Sequence, residues 1–171
     1  GSYSGEINID SDLDMALLPL WQDFFSKGQL NIPELALMGF APLDMVAEKL
    51  QLAKLKNPTM RNLDPAYLIE GGRFRLKPID FSIDNYRITA SGSNGLDKSI
   101  DYKMTIQVPA SELKSKTNTF ISQLLGRDVA ALTDETVVID VAIGGTMTSP
   151  DIQTSLVQII KGAVTDPLKD A

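Results

Sequence analysis

Alternation with a period of two constrains this chain more than any other feature. Ile7 and Ile9 alternate with Glu6, Asn8 and Asp10. Phe74 and Leu76 are interleaved with Arg73, Arg75 and Lys77, and the pattern continues through Ile79, Phe81 and Ile83. Tyr86, Ile88 and Ala90 alternate with Arg87, Thr89 and Ser91. The cleanest run sets Ile100, Tyr102, Met104, Ile106 and Val108 against Asp101, Lys103, Thr105 and Gln107, and Val137, Ile139, Val141 and Ile143 repeat the theme. Successive side chains of a strand point to opposite faces, so each run has one dry and one wet face. That is the pattern of an antiparallel sheet rather than of a doubly covered parallel one.

The punctuation agrees. Gly71-Gly72 and Asn85 separate alternating runs, and Asn94-Gly95 is a hairpin signal inside the loop Gly92 to Lys98. Strands at this spacing make a meander. Two segments switch to helical spacing. Pro42 opens the stripe Leu43, Val46, Ala47 and Leu50, with Asp44 early and Lys49 and Lys54 later as the helix dipole prefers. Ser111 caps a second stripe of Leu113, Phe120, Ile121, Leu124 and Leu125, closed by Gly126. Leu156, Ile159, Ile160 and Val164 predict a third helix, while Leu13 to Phe25 fits neither period and Pro19 argues against one long helix there. The expected fold is α+β: a curved antiparallel β-meander with two or three helices, near 42–55, 111–125 and the C-terminus, packed on one face.

At 171 residues the chain fits one ordinary domain. It has no histidine and no cysteine, which removes Ser-His-Asp and Cys-His catalysis, thiolate or imidazole metal sites and any disulfide framework. A net charge of -6 argues against a nucleic-acid partner, which needs a basic footprint. The basic residues are nonetheless concentrated between Glu48 and Lys77. Lys54, Lys56, Arg61, Arg73 and Arg75 are therefore a candidate patch for lipid head groups, weighed against an ordinary solvated surface. No run approaches the ~20 apolar residues of a membrane span, and no signal peptide is visible. Gly1-Ser2 reads as an expression-tag remnant, and residues 3–171 as a single domain expected to be a fragment of a longer chain.

The remaining polar groupings are weak as chemistry. Asp10, Asp12 and Asp14 lack the glycine and the final glutamate of a calcium loop. Asp97 with Asp101, and Asp134-Glu135, offer paired carboxylates but no sign of the apolar pocket that would raise one pKa. Gly71-Gly72 and Gly144-Gly145 lack the spacing of a phosphate loop. Trp21, Phe24 and Phe25 are expected in the core, or else in an exposed contact patch. No catalytic residue, metal ligand or cofactor is expected.

Several stretches stand out together, in a fixed order along the chain. They run from Met38-Gly39-Phe40-Ala41-Pro42-Leu43-Asp44 through Leu55-Lys56-Asn57-Pro58 and Asn62-Leu63-Asp64. Gly72-Arg73-Phe74, Lys77-Pro78-Ile79-Asp80-Phe81 and the "SGSNGLD" stretch Ser91 to Asp97, continuing to Tyr102, follow in order. The closing "GT…SP" motif reads Gly144-Gly145-Thr146-Met147-Thr148-Ser149-Pro150. In this order they resemble the C-terminal region of AsmA-like proteins; the resemblance covers roughly residues 5 to 156, and its motifs are structural rather than catalytic.

It implies a non-enzymatic, periplasmic domain of an inner-membrane-anchored protein in the envelope of a diderm bacterium. Relatives such as TamB are similar in design to bridge-like lipid transfer proteins, so the implied role is phospholipid transport between inner and outer membrane, or outer-membrane biogenesis. The implied partners are phospholipid and the rest of the same chain through sheet edges, with weak edge-to-edge self-association. Phe74, Leu76, Phe81, Ile88, Tyr102, Met104, Ile106, Ile139 and Val141 form the candidate apolar face, either lipid-facing or core. The alternative is a structural or protein-interaction module that caps a longer β assembly without binding lipid; an enzyme ranks third. A sheet of about six or seven strands at ~4.8 Å is ~30 Å wide. Two helices ~10 Å across cover about two-thirds of that width, so a third helix decides whether an apolar strip stays open.

Overall fold

The computed structural model describes residues 4–15, 23–114, 121–123, 126, 132 and 135–161. The alternating runs become strands: β1 (Ser4–Asp10), β2 (Phe25–Ala36), β3 (Thr59–Leu63), β4 (Ala66–Glu70), β5 (Arg73–Ile83), β6 (Tyr86–Gly95), β7 (Ile100–Pro109), β8 (Glu135–Thr146) and β9 (Ser149–Lys161). Helix α1 (Ala41–Leu50) and a 3₁₀ turn (Ala53–Leu55) lie between β2 and β3, and α2 (Ala110–Lys114) follows β7. Every ladder is antiparallel, in the order β1-β2-β4-β5-β6-β7-β8-β9, with β3 also on β2. The sheet is curved and unclosed, and the fold is α+β as the alternation implied.

The turns follow their residues. Gly71 and Gly72 take φ of +55° and +68°, the two left-handed positions of a type I′ hairpin between β4 and β5. Asn94-Gly95 departs from the expectation, because both residues belong to β6. The chain reverses just beyond them, where Lys98 takes the left-handed conformation and the Asp97 carboxylate accepts from the amide (3.0 Å) and hydroxyl (2.6 Å) of Ser99. Those two bonds hold the Asp97 carboxyl below the usual carboxylate range.

Two irregularities fall where proline removes a donor. Along β5 the register shifts between Leu76 and Ile79, around Pro78. The strands β3 and β4 are one line of pairing along β2, interrupted at Asp64-Pro65. The Pro65 carbonyl still accepts from Leu30 N–H at 3.0 Å, and Asn31 Nδ2 donates to Asp64 at 2.8 Å.

Helix α1 forms as its stripe requires. Pro42 stands in the first turn, Leu43, Val46, Ala47 and Leu50 are buried, and Gln51 turns left-handed at the end. The Leu52 N–H then bonds back to Ala47 at 2.9 Å, which ends the helix in a Schellman-like cap. Its buried side chains share one core with Ile88, Ile106 and Ile139, and each fully buried aliphatic there is worth about 1.5–3 kcal/mol. Leu113, Ile121 and Leu132 extend that core. Lys49 Nζ donates to the Ile152 carbonyl and so ties α1 to β9.

One expected element is overturned. The stripe beginning at Leu156 is strand, not helix, since Ser149–Lys161 pairs with β8 throughout. The register slips by one residue where Ile139 faces Leu156, and that bulge changes the apolar spacing from two to three, which imitates a helical period. Val164, Trp21, Phe120, Leu124 and Leu125 lie outside the described residues; Phe24 and Phe25 are half-buried. Among the described residues no helix is long and apolar enough to cross a membrane.

Candidate functional site

The eight strands of the main path span roughly 35–40 Å, and α1 and α2 cover only part of that width. Between α1 and the part of the sheet face that no described helix covers lies an apolar cavity of about 350 Å³. Its walls include Leu35, Leu37 and Phe40 on the β2–α1 side and Phe74, Leu76, Ile79 and Phe81 on β5.

All nine residues of the candidate apolar face share this side of the sheet. Phe81, Ile88, Ile106 and Ile139 stand opposite one another in a row, and Met104 pairs with Val141 in the next. The helices divide the nine. Ile88, Met104, Ile106, Ile139 and Val141 are buried in the core, whereas Phe74, Leu76, Phe81 and Tyr102 are half-buried around the cavity. The wet face is as regular: Thr89, Ser91, Lys103, Thr105, Asp140 and Gln153 lie around a shallow polar depression on the opposite side.

A further row crosses the whole sheet. Ile7, Gly28, Tyr67, Leu76, Gly92, Tyr102, Ile143 and Ile152 pair in succession. It ends at β1, which has no second strand neighbour among the described residues and where Ile7 and Ile9 are 51% and 65% exposed. The polar atoms of the two tyrosines have partners at the hairpin end. Tyr102 donates from its hydroxyl to Asn94 Oδ1 at 2.8 Å, and the Tyr67 hydroxyl lies 3.4 Å from Ser26 Oγ while its ring stacks on Phe74 at 5.7 Å. Burial pushes the Tyr102 phenol above its usual range, although the Arg73 charge pulls the other way.

The five candidate head-group cations do not form one patch. Lys54 bonds Glu112 (3.1 Å) and Asn85 Oδ1 (2.9 Å) and approaches Asp84 (3.8 Å), at the β5–β6 turn. Arg73 donates to Ser93 and Ser99 at the other end of β5, an eleven-residue strand that puts roughly 30 Å between the two cations. Lys56 pairs with Glu48 at 2.8 Å, and that hydrogen bond holds its ammonium above the usual lysine range. Arg61 bonds Glu34 at 2.9 Å across β2–β3, and Arg75 stands 3.9 Å from Glu70. Each cation thus has a local partner, as ordinary surface charges do.

Sequence reasoning missed the β2, β3 and β4 contributions. In β2, Leu30 and Ile32 do alternate with Gln29 and Asn31, but Gly28 and Pro33 mask the run. Pro33 is tolerated because the residue facing it in that line, Asn62, leaves the extended conformation with φ of +54°. In β4 the sequence Ala66-Tyr67-Leu68-Ile69 is continuously apolar, so periodicity carries no signal. Among the described residues no cluster of carboxylates could hold a metal ion. Compared with protein-family models, with curated proteins and with solved structures, the chain matches none.

Proposed function

We propose that this domain is a non-enzymatic part of a bacterial envelope protein, and that its trough holds the acyl chain of a phospholipid in transit between inner and outer membrane or during outer-membrane biogenesis. The observation that carries the reading is the 350 Å³ cavity, whose walls are almost wholly apolar side chains and which α1 leaves partly uncovered. Soluble proteins seldom leave such a surface without an occupant. The AsmA-like stretches support the same reading and add its setting: a periplasmic domain of a chain anchored in the inner membrane.

Mass spectrometry of organic extracts from the purified protein tests this. Co-purifying phospholipid or fatty acid is expected, and Phe81→Asp, which places a carboxylate in the wall, should abolish it. Extracts free of lipid, together with failure to take up added phospholipid, would sink the proposal. The same material should turn over no generic ester, glycoside or phosphate substrate.

A second reading has its own observation. The exposed Ile7 and Ile9, on a strand that ends the sheet among the described residues, suit a module that caps or continues a longer β assembly through that edge. It predicts strand pairing without bound lipid.

A further inference from the structure

The trough differs at its two ends, and that difference carries an inference resting on the acyl-chain reading above. At one end Ile88 is fully buried in the core that the α1 side chains share. At the other, Asn94 shares the trough face with Phe74 and holds the Tyr102 hydroxyl. The Asn94 amide uses its oxygen for Tyr102, and among the described residues nothing accepts from its Nδ2 hydrogens. Asn94 is half-buried and stands beside the cavity wall that Tyr102 lines, so its two donors are open to water or to the oxygen of a ligand lying there.

We propose that Asn94 and Tyr102 orient the bound amphiphile, with the acyl carbonyl or carboxylate oxygen accepting from Asn94 Nδ2 and the tail pointing toward Ile88. The spacing suits this. Asn94 and Ile88 are six residues apart on β6, ~20 Å, somewhat more than half of a ~30 Å bilayer core, the depth one acyl chain fills. Between them the same face of β6 carries only Gly92 and Ala90, so large side chains are confined to the flanking strands. The occupant is thus an acyl compound with an oxygen acceptor at the head of the tail, as an ester or as a free acid. A bare hydrocarbon offers the amide no acceptor and leaves it to water.

Displacement of a fluorescent naphthylamine probe from the intact chain by oleate, methyl oleate and 1-octadecene tests the assignment. The two oxygen-bearing compounds should displace the probe at concentrations about tenfold below the hydrocarbon, the usual worth of one hydrogen bond. Equal potency of ester and acid points to a glycerolipid ester; a preference for the acid points to free fatty acid. Asn94→Leu should erase the tenfold difference by weakening the oxygen-bearing ligands alone. Tyr102→Phe removes only a hydroxyl, and should reduce the difference two- to threefold, which keeps the test informative if Asn94→Leu does not fold. Equal displacement by all three compounds in the parent protein, or an unchanged ratio in both variants, overturns the orientation while leaving an acyl trough in place. Displacement by none of them overturns both readings.

Discussion

The ring of Tyr102 lies against the backbone of Gly92, its partner across the β6–β7 ladder, so closely that a Cβ on Gly92 would fall inside contact distance of Tyr102 Cδ1. Gly28 stands in the same relation to Tyr67 across β2–β4. Aromatic rings that lie over glycines restore the packing which glycine lacks, and set how low the trough floor can be. Gly92→Ala should then cost at least about 1–3 kcal/mol in urea unfolding, because the added Cβ would meet the Asp101 carbonyl and Tyr102 Cα as well as the ring. Combined with Tyr102→Ala, which removes the ring and leaves the backbone contacts, the cost should fall below the sum of the two single changes. Strict additivity would assign the whole cost to the backbone contacts rather than to the ring.

The two faces of β7 offer a contrast between adjacent residues. Met104 is buried on the trough side and Lys103 is exposed on the other. Met104→Asp should destabilise by about 3–5 kcal/mol because it buries an unpaired carboxylate, while Lys103→Asp should change stability by less than about 1 kcal/mol. Denaturant midpoints for the two variants check the register directly.

The edge of β1 that has no neighbour among the described residues should pair with other strands. Successive N–H groups of an edge strand alternate between its neighbour and solvent, so Asn8→Pro and Ile9→Pro cannot be equivalent. One should lower stability by removing a bond to β2; the other should leave the fold intact and weaken self-association at high concentration. Sedimentation of the two variants, with thermal unfolding, separates these effects. A strictly monomeric parent protein would remove the basis for edge pairing.

Alkaline pH should expose the environment of Tyr86. Burial, aided by the carboxylates of Glu112 and Asp84, pushes its phenol up to about 12. An unfolded chain loses this proton near pH 10 and the folded one near pH 12, so stability is unaffected below pH 10 and falls between the two. The loss should be on the order of 2 kcal/mol. Lys54 stands 5.4 Å above the Tyr86 ring. Tyr86→Phe retains Lys54, so the shallower alkaline decline expected of the variant isolates the phenol.

Much of this fold was legible because its central strands are half-wet. Arg75, Lys103 and Asp140 on the outer face make the alternation of β5, β7 and β8 plain, and the nine candidate residues fell on one side as a result. Legibility failed where another constraint broke the period. Pro33 and Gly28 disguised β2, the bulge opposite Ile139 made β9 read as helix, and Asn94-Gly95 lay in a strand because the Asp97 side chain makes the turn. The cation patch failed for a different reason. Closeness in sequence between Lys54 and Arg73 becomes separation in space once a long strand runs between their sites.

The connections between strands also set an order of assembly. β4, β5 and β6 are joined by the two-residue turns Gly71-Gly72 and Asp84-Asn85, and β8 and β9 by Met147-Thr148. By contrast, residues 37–58 intervene between β2 and β3, and residues 110–134 between β7 and β8. Hairpins with tight turns close in microseconds, whereas the two long excursions carry a larger loop-closure entropy. The β4–β7 ribbon is thus the natural folding nucleus, and the helices arrive afterwards as lids on a partly built sheet. Until they do, the Ile88–Ile106 row faces water, and the nascent chain presents to any holdase the same surface that the finished protein keeps under α1.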